Sequence, residues 1–95
     1  MPVVVGLLTV ELFISDALTL KDRRRVVESL LDRLANQHNV AVADIGPDNA
    51  PSRARLAVTT VANDERHVHR VLNAALRTVE AEPRAVCEQT QIAML

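Results

Sequence analysis

Segments with the hydrophobic spacing of a β-strand alternate with segments that have the spacing of an α-helix along this chain of 95 residues. The order of these segments limits the folds that the chain can adopt. Residues 3–14 read VVVGLLTVELFI, a run of β-branched and aliphatic side chains that predicts a β-strand. Residues 40–45, 53–62 and 85–95 predict three more strands, whereas two stretches between them change to helical spacing. The apolar positions of those helices are Leu20, Val27, Leu30, Leu31 and Leu34 in the first, and Val68, Val71, Leu72, Ala75, Leu76 and Val79 in the second. The predicted order of elements is therefore β-α-β-β-α-β.

A single apolar stripe lets each predicted helix cover only one face of a sheet. Right-handed crossover connections place both helices on the same side, which predicts the split βαβ, or ferredoxin-like, α+β sandwich. We expect one domain over residues 1–95, an antiparallel sheet in the strand order 4-1-3-2, and one sheet face left open. The predicted core lies between helices and sheet and contains Val27, Leu30, Leu31, Leu34, Val68, Leu72, Leu76, Val79, Leu8, Val10, Leu12, Leu56 and Val58.

Capping residues indicate where both helices begin and end. Thr19 is expected to cap the first helix, with Asp22 in place of the usual Glu or Gln of a capping box. His38-Asn39 is expected to end that helix, with Asn39 as a tolerated left-handed residue, and Asn63 is expected to cap the second helix. Residues 46–52, GPDNAPS, predict a loop.

Composition excludes several classes of protein. Cys87 is the single cysteine, so no disulfide forms within the chain, and a reducing, cytoplasmic setting fits best. The sequence has no apolar run of the ~20 residues that a membrane span needs, and no basic segment before its first apolar stretch, which disfavours a signal peptide. The net charge of −1 excludes a strongly basic nucleic-acid-binding protein but permits a locally basic surface.

Four cations crowd the first turns of the first predicted helix: Lys21, Arg23, Arg24 and Arg25. The amide dipoles already make that end positive, so a cation there costs up to ~1 kcal/mol at low salt. Asp22 and Glu28 are spaced to pair with two of the arginines, at ~0.2–0.5 kcal/mol per pair, whereas Lys21 and Arg23 have no acid at helical spacing. The cluster is either a solvated face bridged to its own carboxylates, or an anion site, since helix N-terminal amides and cations together suit phosphate.

The second helix carries a polar stripe that favours the anion site. Arg66, Arg70, Asn73 and Arg77 recur at spacings of four, three and four, and Arg70 has no acid at helical spacing. Two helices that lie side by side would merge their outer faces into one basic surface. The residues predicted to bind an anion or RNA are Lys21, Arg23, Arg24, Arg25, Arg66, Arg70 and Arg77.

Metal binding and thiol chemistry have weaker support. His67 and His69 point apart on a helix, and Glu65 with His69 gives only two ligands, so surface histidines are favoured over a metal site. Cys87 has no base beside it in the sequence, which favours an inert, buried thiol. The sequence therefore predicts no metal and no cofactor.

Acid–base catalysis and base stacking are also disfavoured. Asp44 and Asp48 are close enough in sequence to pair as carboxylates, but catalysis also needs a pocket and matched geometry, so solvated loop residues are favoured. RNA-recognition sheets stack bases on aromatic residues of their central strands, and Phe13 is the single aromatic residue of this chain. We expect a protein that is not an enzyme and does not read RNA bases through its sheet.

The stretches VGLLTVEL, TLKDRRRVVESLLDRL, NVAVADI and RARLAVTTVANDERHV resemble the YlxP-like family, small bacterial proteins of unknown function with a ferredoxin-like fold. The family's first helix opens Ser-Leu-Lys-Glu-Lys-Arg-Arg-Val, and residues 19–26 here read Thr-Leu-Lys-Asp-Arg-Arg-Arg-Val. Family genes often lie beside those for translation initiation and ribosome maturation factors, so the resemblance implies a link to the ribosome. The family's Trp-Gln-Arg-Ala before the third strand is Pro-Ser-Arg-Ala at residues 51–54, so no stacking role is implied there.

Two functional hypotheses follow. The first is a non-catalytic module that binds RNA or a ribosomal particle through the basic helical surface. The alternative is a homodimeric structural or interaction protein without nucleic-acid affinity. It would associate through the apolar part of the open sheet face, at Val5, Leu7, Ala57 and Val61, unless the C-terminal IAML segment covers those residues. We expect no membrane contact and no small-molecule cofactor.

Overall fold

A computed structural model of the protein describes residues 2–95. Its elements are β1 (Val4–Ile14), α1 (Leu20–Gln37), β2 (Ala41–Gly46), β3 (Arg53–Ala62), α2 (Glu65–Glu80) and β4 (Ala85–Met94). The predicted βαββαβ order and the ferredoxin-like α+β architecture are confirmed. Among these residues, no helix combines the length and the apolar character needed to cross a lipid bilayer.

The strands form one antiparallel sheet in the order β2-β3-β1-β4, which confirms the predicted order. Within it β1 lies between β3 and β4, with Leu8 opposite Val58 on one side and Ile92 on the other. The short strand β2 and the longer strand β4 form the two edges. Side chains alternate between the two faces of the sheet, so one register fixes which residues meet the helices.

Both helices pack on the same face of the sheet and bury the core against it. The helix α1 lies over β2 and β3, whereas α2 lies over β1, β3 and β4. Every predicted core residue is buried except Leu31 and Leu76, which are partly buried at the margin. Leu20, the first residue of α1, belongs to the predicted stripe but is exposed. The core also includes Ile14, Val26, Ala54, Ala75 and Ala85.

The helix caps are partly as predicted. The Thr19 hydroxyl accepts the Asp22 N–H, and the Asp22 carboxylate accepts the Thr19 N–H, so the predicted capping box is confirmed. The prediction that Asn63 caps α2 is wrong, because the cap is Asp64, whose carboxylate accepts the Arg66 N–H. The predicted end of α1 at His38-Asn39 is confirmed, because His38 is the C-cap in an extended conformation, but the left-handed conformation predicted for Asn39 is wrong.

Gly6 lets α2 approach β1 closely. A Cβ atom built on Gly6 would overlap Cγ1 of Val68 and lie 2.9 Å from Cδ1 of Leu72, closer than van der Waals contact permits. The missing side chain therefore sets how near the first turns of α2 come to the centre of the sheet.

Candidate nucleic-acid interface

The structure places the seven predicted anion-binding residues on the two helices but separates one from the rest. Arg23 is buried, with 6% of its surface exposed. The other six side chains are exposed: Lys21, Arg24, Arg25, Arg66, Arg70 and Arg77. We call these six residues the helical cations.

Arg23 forms a bidentate ion pair with Asp44 of β2. Its Nη1 lies 2.8 Å from Asp44 Oδ2 and its Nη2 lies 3.0 Å from Oδ1, while its Nε donates to the backbone carbonyl of Arg53 at 2.7 Å. The interpretation of Arg23 as an uncompensated cation on a solvated face is wrong, because the neutralising acid comes from a strand rather than from the same helix. The buried guanidinium has no pair of N–H groups left to bind a phosphate.

Asp44 belongs to this buried pair and not to an acid–base dyad. The Arg23 side chain holds the pKa of Asp44 below its usual value, and a hydrogen bond from the Gly46 N–H, at 2.9 Å from Asp44 Oδ1, lowers it further. A carboxylate that stays ionised and bound to arginine does not act as a proton donor near neutral pH.

The amino-terminal amides of α1 are already used by side chains of the protein. The Leu18 and Thr19 N–H groups both donate to Asp22 Oδ2 at 3.1 Å, and the Asp22 N–H donates to Thr19 Oγ1 at 3.1 Å. The hydrogen bond from Leu18 is the main reason why the pKa of Asp22 is lowered. An anion at this helix end would have to displace the capping box. The prediction that these amides bind a phosphate therefore loses its support.

Ion pairing divides the cations of the chain into two groups. Five arginines are held by carboxylates, in the pairs Arg23–Asp44, Arg33–Glu82, Arg84–Glu82, Arg53–Glu88 and Arg55–Glu11. Within residues 2–95, none of the helical cations has a carboxylate oxygen within 4.0 Å. The pairs expected inside α1 do not form at that distance, and Arg25 acts on Asp22 only through longer-range attraction.

The helical cations at the start of α1 point to different sides of the helix. Arg24 lines a cleft of about 340 Å³ between α1 and β2, together with Leu20, Leu31 and Asp48. Arg25 lines a separate depression, where α1 meets the turn before β4. Arg24 and Arg25 therefore do not line one common pocket at this helix end.

The arginines of α2 form the more regular array. Arg66, Arg70 and Arg77 are exposed on the side of α2 opposite its buried stripe. Four exposed acids also lie on the two helices: Glu28, Asp32, Glu65 and Glu80. The helical surface thus has mixed charge with a small excess of cations, which is weaker than a continuous basic patch.

The histidines and the cysteine have structural surroundings. His38 Nε2 lies 2.8 Å from Thr78 Oγ1, a contact that joins the end of α1 to α2. His69 Nε2 lies 3.8 Å from a Glu65 carboxylate oxygen, and no three metal-ligating side chains come together in residues 2–95. Cys87 is half-buried, and burial raises the pKa of its thiol, as does the charge of Glu80.

The open sheet face offers no aromatic platform. The Phe13 ring lies under the Arg53 guanidinium, whose Cζ is 5.5 Å from the ring centroid. Beside it, Arg55 pairs with Glu11, next to a depression lined by Thr9, Gln89 and Gln91. This face therefore lacks the row of stacking residues by which RNA-recognition sheets hold bases.

The side chains missed by the sequence analysis are those that meet across the fold. Glu82 is buried, pairs with Arg33 of α1, and also accepts hydrogen bonds from Arg84. Arg84 also reaches Ser29 Oγ at 3.2 Å. Asp44 had a usable signal, because it follows the core-facing Val42 by two residues on the same strand.

These features define a small α+β sandwich with an uncovered sheet face and unpaired cations on its helices. The chain belongs to a family of proteins of unknown function, DUF503, whose model matches residues 5–92. It is 27% identical over 79 residues to "Uncharacterized protein YlxP" of Bacillus subtilis (strain 168), an alignment that covers 83% of this chain and 86% of that protein. The resemblance to the YlxP-like family is thereby confirmed.

Solved structures resemble this one in fold alone. The de novo designed protein Foldit4 aligns with 98% of this chain and 96% of its own, at a TM-score of 0.55 and 13% identity. A mutant of SnoaB, a cofactor-independent oxygenase from Streptomyces nogalater, aligns with 95% of this chain and 90% of its own, at a TM-score of 0.50 and 12% identity. At such low identity neither likeness bears on the activity of this chain.

Proposed function

We propose that this protein is a non-catalytic module that binds the phosphate backbone of RNA, alone or in a ribosomal particle, through the helical cations. One observation carries the proposal: in the described part of the chain, residues 2–95, the exposed helical cations lack carboxylate partners, whereas the other five arginines are paired. An unpaired exposed guanidinium binds a phosphate without breaking an existing ion pair, and its fork matches the phosphate oxygens. The ribosomal link implied by the family resemblance points in the same direction.

The chemistry of this surface favours backbone contacts over base contacts. Arg66, Arg70 and Arg77 lie along one side of α2, and the one aromatic ring of the chain, Phe13, is on the opposite face of the sheet. Phosphate contacts position a protein on RNA but carry no sequence information. We therefore expect binding that tolerates changes of RNA sequence, and that is weak because exposed acids lie among the cations.

Salt sensitivity is the first test of the proposal. For single-stranded nucleic acid, each neutralised phosphate contributes about 0.7 to the log–log slope of affinity against salt. If four or five phosphates are contacted, raising the salt from ~50 to ~200 mM lowers the affinity roughly 10²-fold. Filter binding with single-stranded RNA, and co-sedimentation with ribosomal subunits, measure this at both salt concentrations.

A charge-reversal pair tests where the RNA binds. Arg70→Glu is expected to lower the affinity at ~50 mM salt at least tenfold and to reduce the salt slope by at least ~0.7, while unfolding stays unchanged because the side chain is exposed. The double variant Gln89→Glu/Gln91→Glu changes the net charge by the same amount on the sheet face, and it is the matched control when both variants are measured with an oligonucleotide short enough to contact one copy of the chain. Absence of binding at ~50 mM salt, or an equal loss in both variants, would contradict the proposal.

A further inference from the structure

The open sheet face is half apolar and lies on the side of the sheet away from the helices. In the sheet register, Val5 lies opposite Val61, and Leu7 lies between Thr59 and Ala93. Val61 is 57% exposed, although it is a large aliphatic side chain in a central strand. Ala41, Ala43 and Ala57 extend this small and aliphatic surface across β2 and β3.

The C-terminal segment does not cover this surface, contrary to one of the sequence-based alternatives. Residues 92–94 belong to β4 and pair with β1. Ile92 and Met94 pack against the core on the helical side, Ala93 lies on the open face, and Leu95, whose N–H donates to the Val5 carbonyl at 2.8 Å, is 76% exposed. The segment therefore widens the open face instead of covering it.

We infer that this face binds the same face of a second copy of the chain. Its charges favour such a partner, because Arg55 is paired with Glu11 and Arg53 with Glu88. The face consequently has no net charge to repel its own copy. In a two-fold arrangement the same patch meets itself, so an Arg–Glu pair of one copy meets groups of both signs on the other.

The size of the face is near the requirement of a specific dimer. With strands ~4.8 Å apart and a rise of ~3.3 Å per residue, the four strands cover about 600 Å² as a flat area. Side-chain relief adds to that area, and a standard interface buries about 800 Å² per partner. Because only part of the face is apolar, the association is expected at the weak end of this class, with a dissociation constant on the order of micromolar.

Oligomeric state in solution tests the inference. Sedimentation equilibrium of the whole chain over a range from about 1 to several hundred micromolar is expected to show a monomer–dimer equilibrium. Leu7→Lys and Val61→Asp place a charge in the apolar half of the face, away from the core, and each is expected to weaken dimerisation at least 100-fold. Leu18→Asp is the matched control, because Leu18 is 85% exposed in the loop before α1, and it should dimerise as the natural chain does.

A second measurement needs no substitution. In a mixed sample of isotope-labelled and unlabelled chains, the methyl groups of Leu7 and Val61 are expected to show intermolecular nuclear Overhauser effects. A natural chain that stays monomeric over the whole range overturns the inference, and so does a dimer in which these methyl groups show no intermolecular effects. A dimer that persists in both charged variants overturns it as well and would point to pairing at a sheet edge.

Discussion

Arg23 stands in the apolar stripe of α1. It follows Leu20 by three residues and precedes Val27 by four, so helical geometry turns it toward the sheet. Removing a guanidinium from water costs several kcal/mol unless an opposite charge and hydrogen bonds replace its hydration. Asp44 and the Arg53 carbonyl provide that replacement. The pair explains how the start of α1 accommodates one of its four cations without any external partner.

Truncating the two partners of this pair should have unequal effects on stability. The Asp44 side chain is 30% exposed, whereas that of Arg23 is 7% exposed, so water can reach the carboxylate but not the guanidinium. We expect Asp44→Ala to lower the free energy of unfolding by about 3 kcal/mol, the lower end for broken buried pairs. Arg23→Ala should cost less, about 2 kcal/mol, because water can hydrate the carboxylate that it leaves unpaired. Urea unfolding measures both, and Arg24→Ala, on the exposed side, should change stability by less than ~0.5 kcal/mol. Equal costs at positions 23 and 24 would contradict the buried pair.

Glu82 makes the stability depend on acid pH. Hydrogen bonds and charge from Arg84, with a further hydrogen bond from Arg33, lower the pKa of this carboxyl to about 2 from 4.5, although burial acts in the opposite direction. Since the folded chain binds this proton less tightly than the unfolded chain, the stabilisation is complete above pH 4.5 and is lost as the pH falls toward 2. The shift corresponds to about 3 kcal/mol. Glu82→Gln should lower the stability at pH 7 and flatten the dependence of stability on pH between pH 4.5 and 2. Thermal unfolding at a series of pH values measures this. If the curves of the variant and the natural chain stay parallel, Glu82 does not have this role.

Among the secondary-structure elements, α2 has its start and its distance from the sheet determined by residues at its first turns. Gly6 allows its buried stripe to approach β1, and the Asp64 carboxylate caps its first amides. Because Asp64 has an extended backbone and a side chain that accepts the Arg66 N–H at 3.1 Å, it is the last residue before the helix. Both features lie where the start of α2 packs near the beginning of β1 and the end of β3.

The cap of α2 gives a direct comparison between neighbouring residues. Asp64→Ala removes a hydrogen-bond acceptor and a favourable charge at the helix start, so it should cost about 1 kcal/mol. Asn63→Ala leaves that hydrogen bond in place and should cost less than ~0.5 kcal/mol. Equilibrium unfolding in urea distinguishes the two variants. A larger loss at position 63 would restore Asn63 as the cap.

The elements were predictable because their hydrophobic periods are unambiguous, but pairing between distant elements was not. The spacing of Leu20, Val27, Leu30 and Leu34 was enough to place α1 on the sheet. The same spacing would have marked Arg23 as core-facing, but a search for acids on the same helix could not find a partner on β2. Likewise, nothing local shows that Glu82 meets Arg33, because the contact depends on how the turn before β4 packs against α1.

The whole molecule has two unlike surfaces on opposite sides. The sheet face neutralises its own charges, whereas the helical side keeps unpaired cations. If sheet faces pair, both sets of helical cations point outward from the dimer. A long RNA or a ribosomal particle can then contact two sets at once, which raises apparent affinity through effective concentration.

RNA length separates the contributions of these two surfaces. Leu7→Lys, which should make the protein monomeric, is expected to reduce affinity for a long RNA at least about tenfold. For an oligonucleotide too short to reach both sets of cations, the variant and the natural chain should bind alike. Filter binding with RNAs of graded length measures the difference. A loss of equal size at every length would mean that dimerisation does not add a second contact.

The central position of β1 also has a consequence for biosynthesis. This strand is made before both of its neighbours, and one of them is β4, built from residues 85–94. Until those residues leave the ribosome, one edge of β1 has no hydrogen-bonding partner from its own chain, and a free strand edge is a template for wrong pairing. Wrong pairing at this edge of β1 therefore stays possible during synthesis even after β3 has paired with its other edge, until β4 is in place.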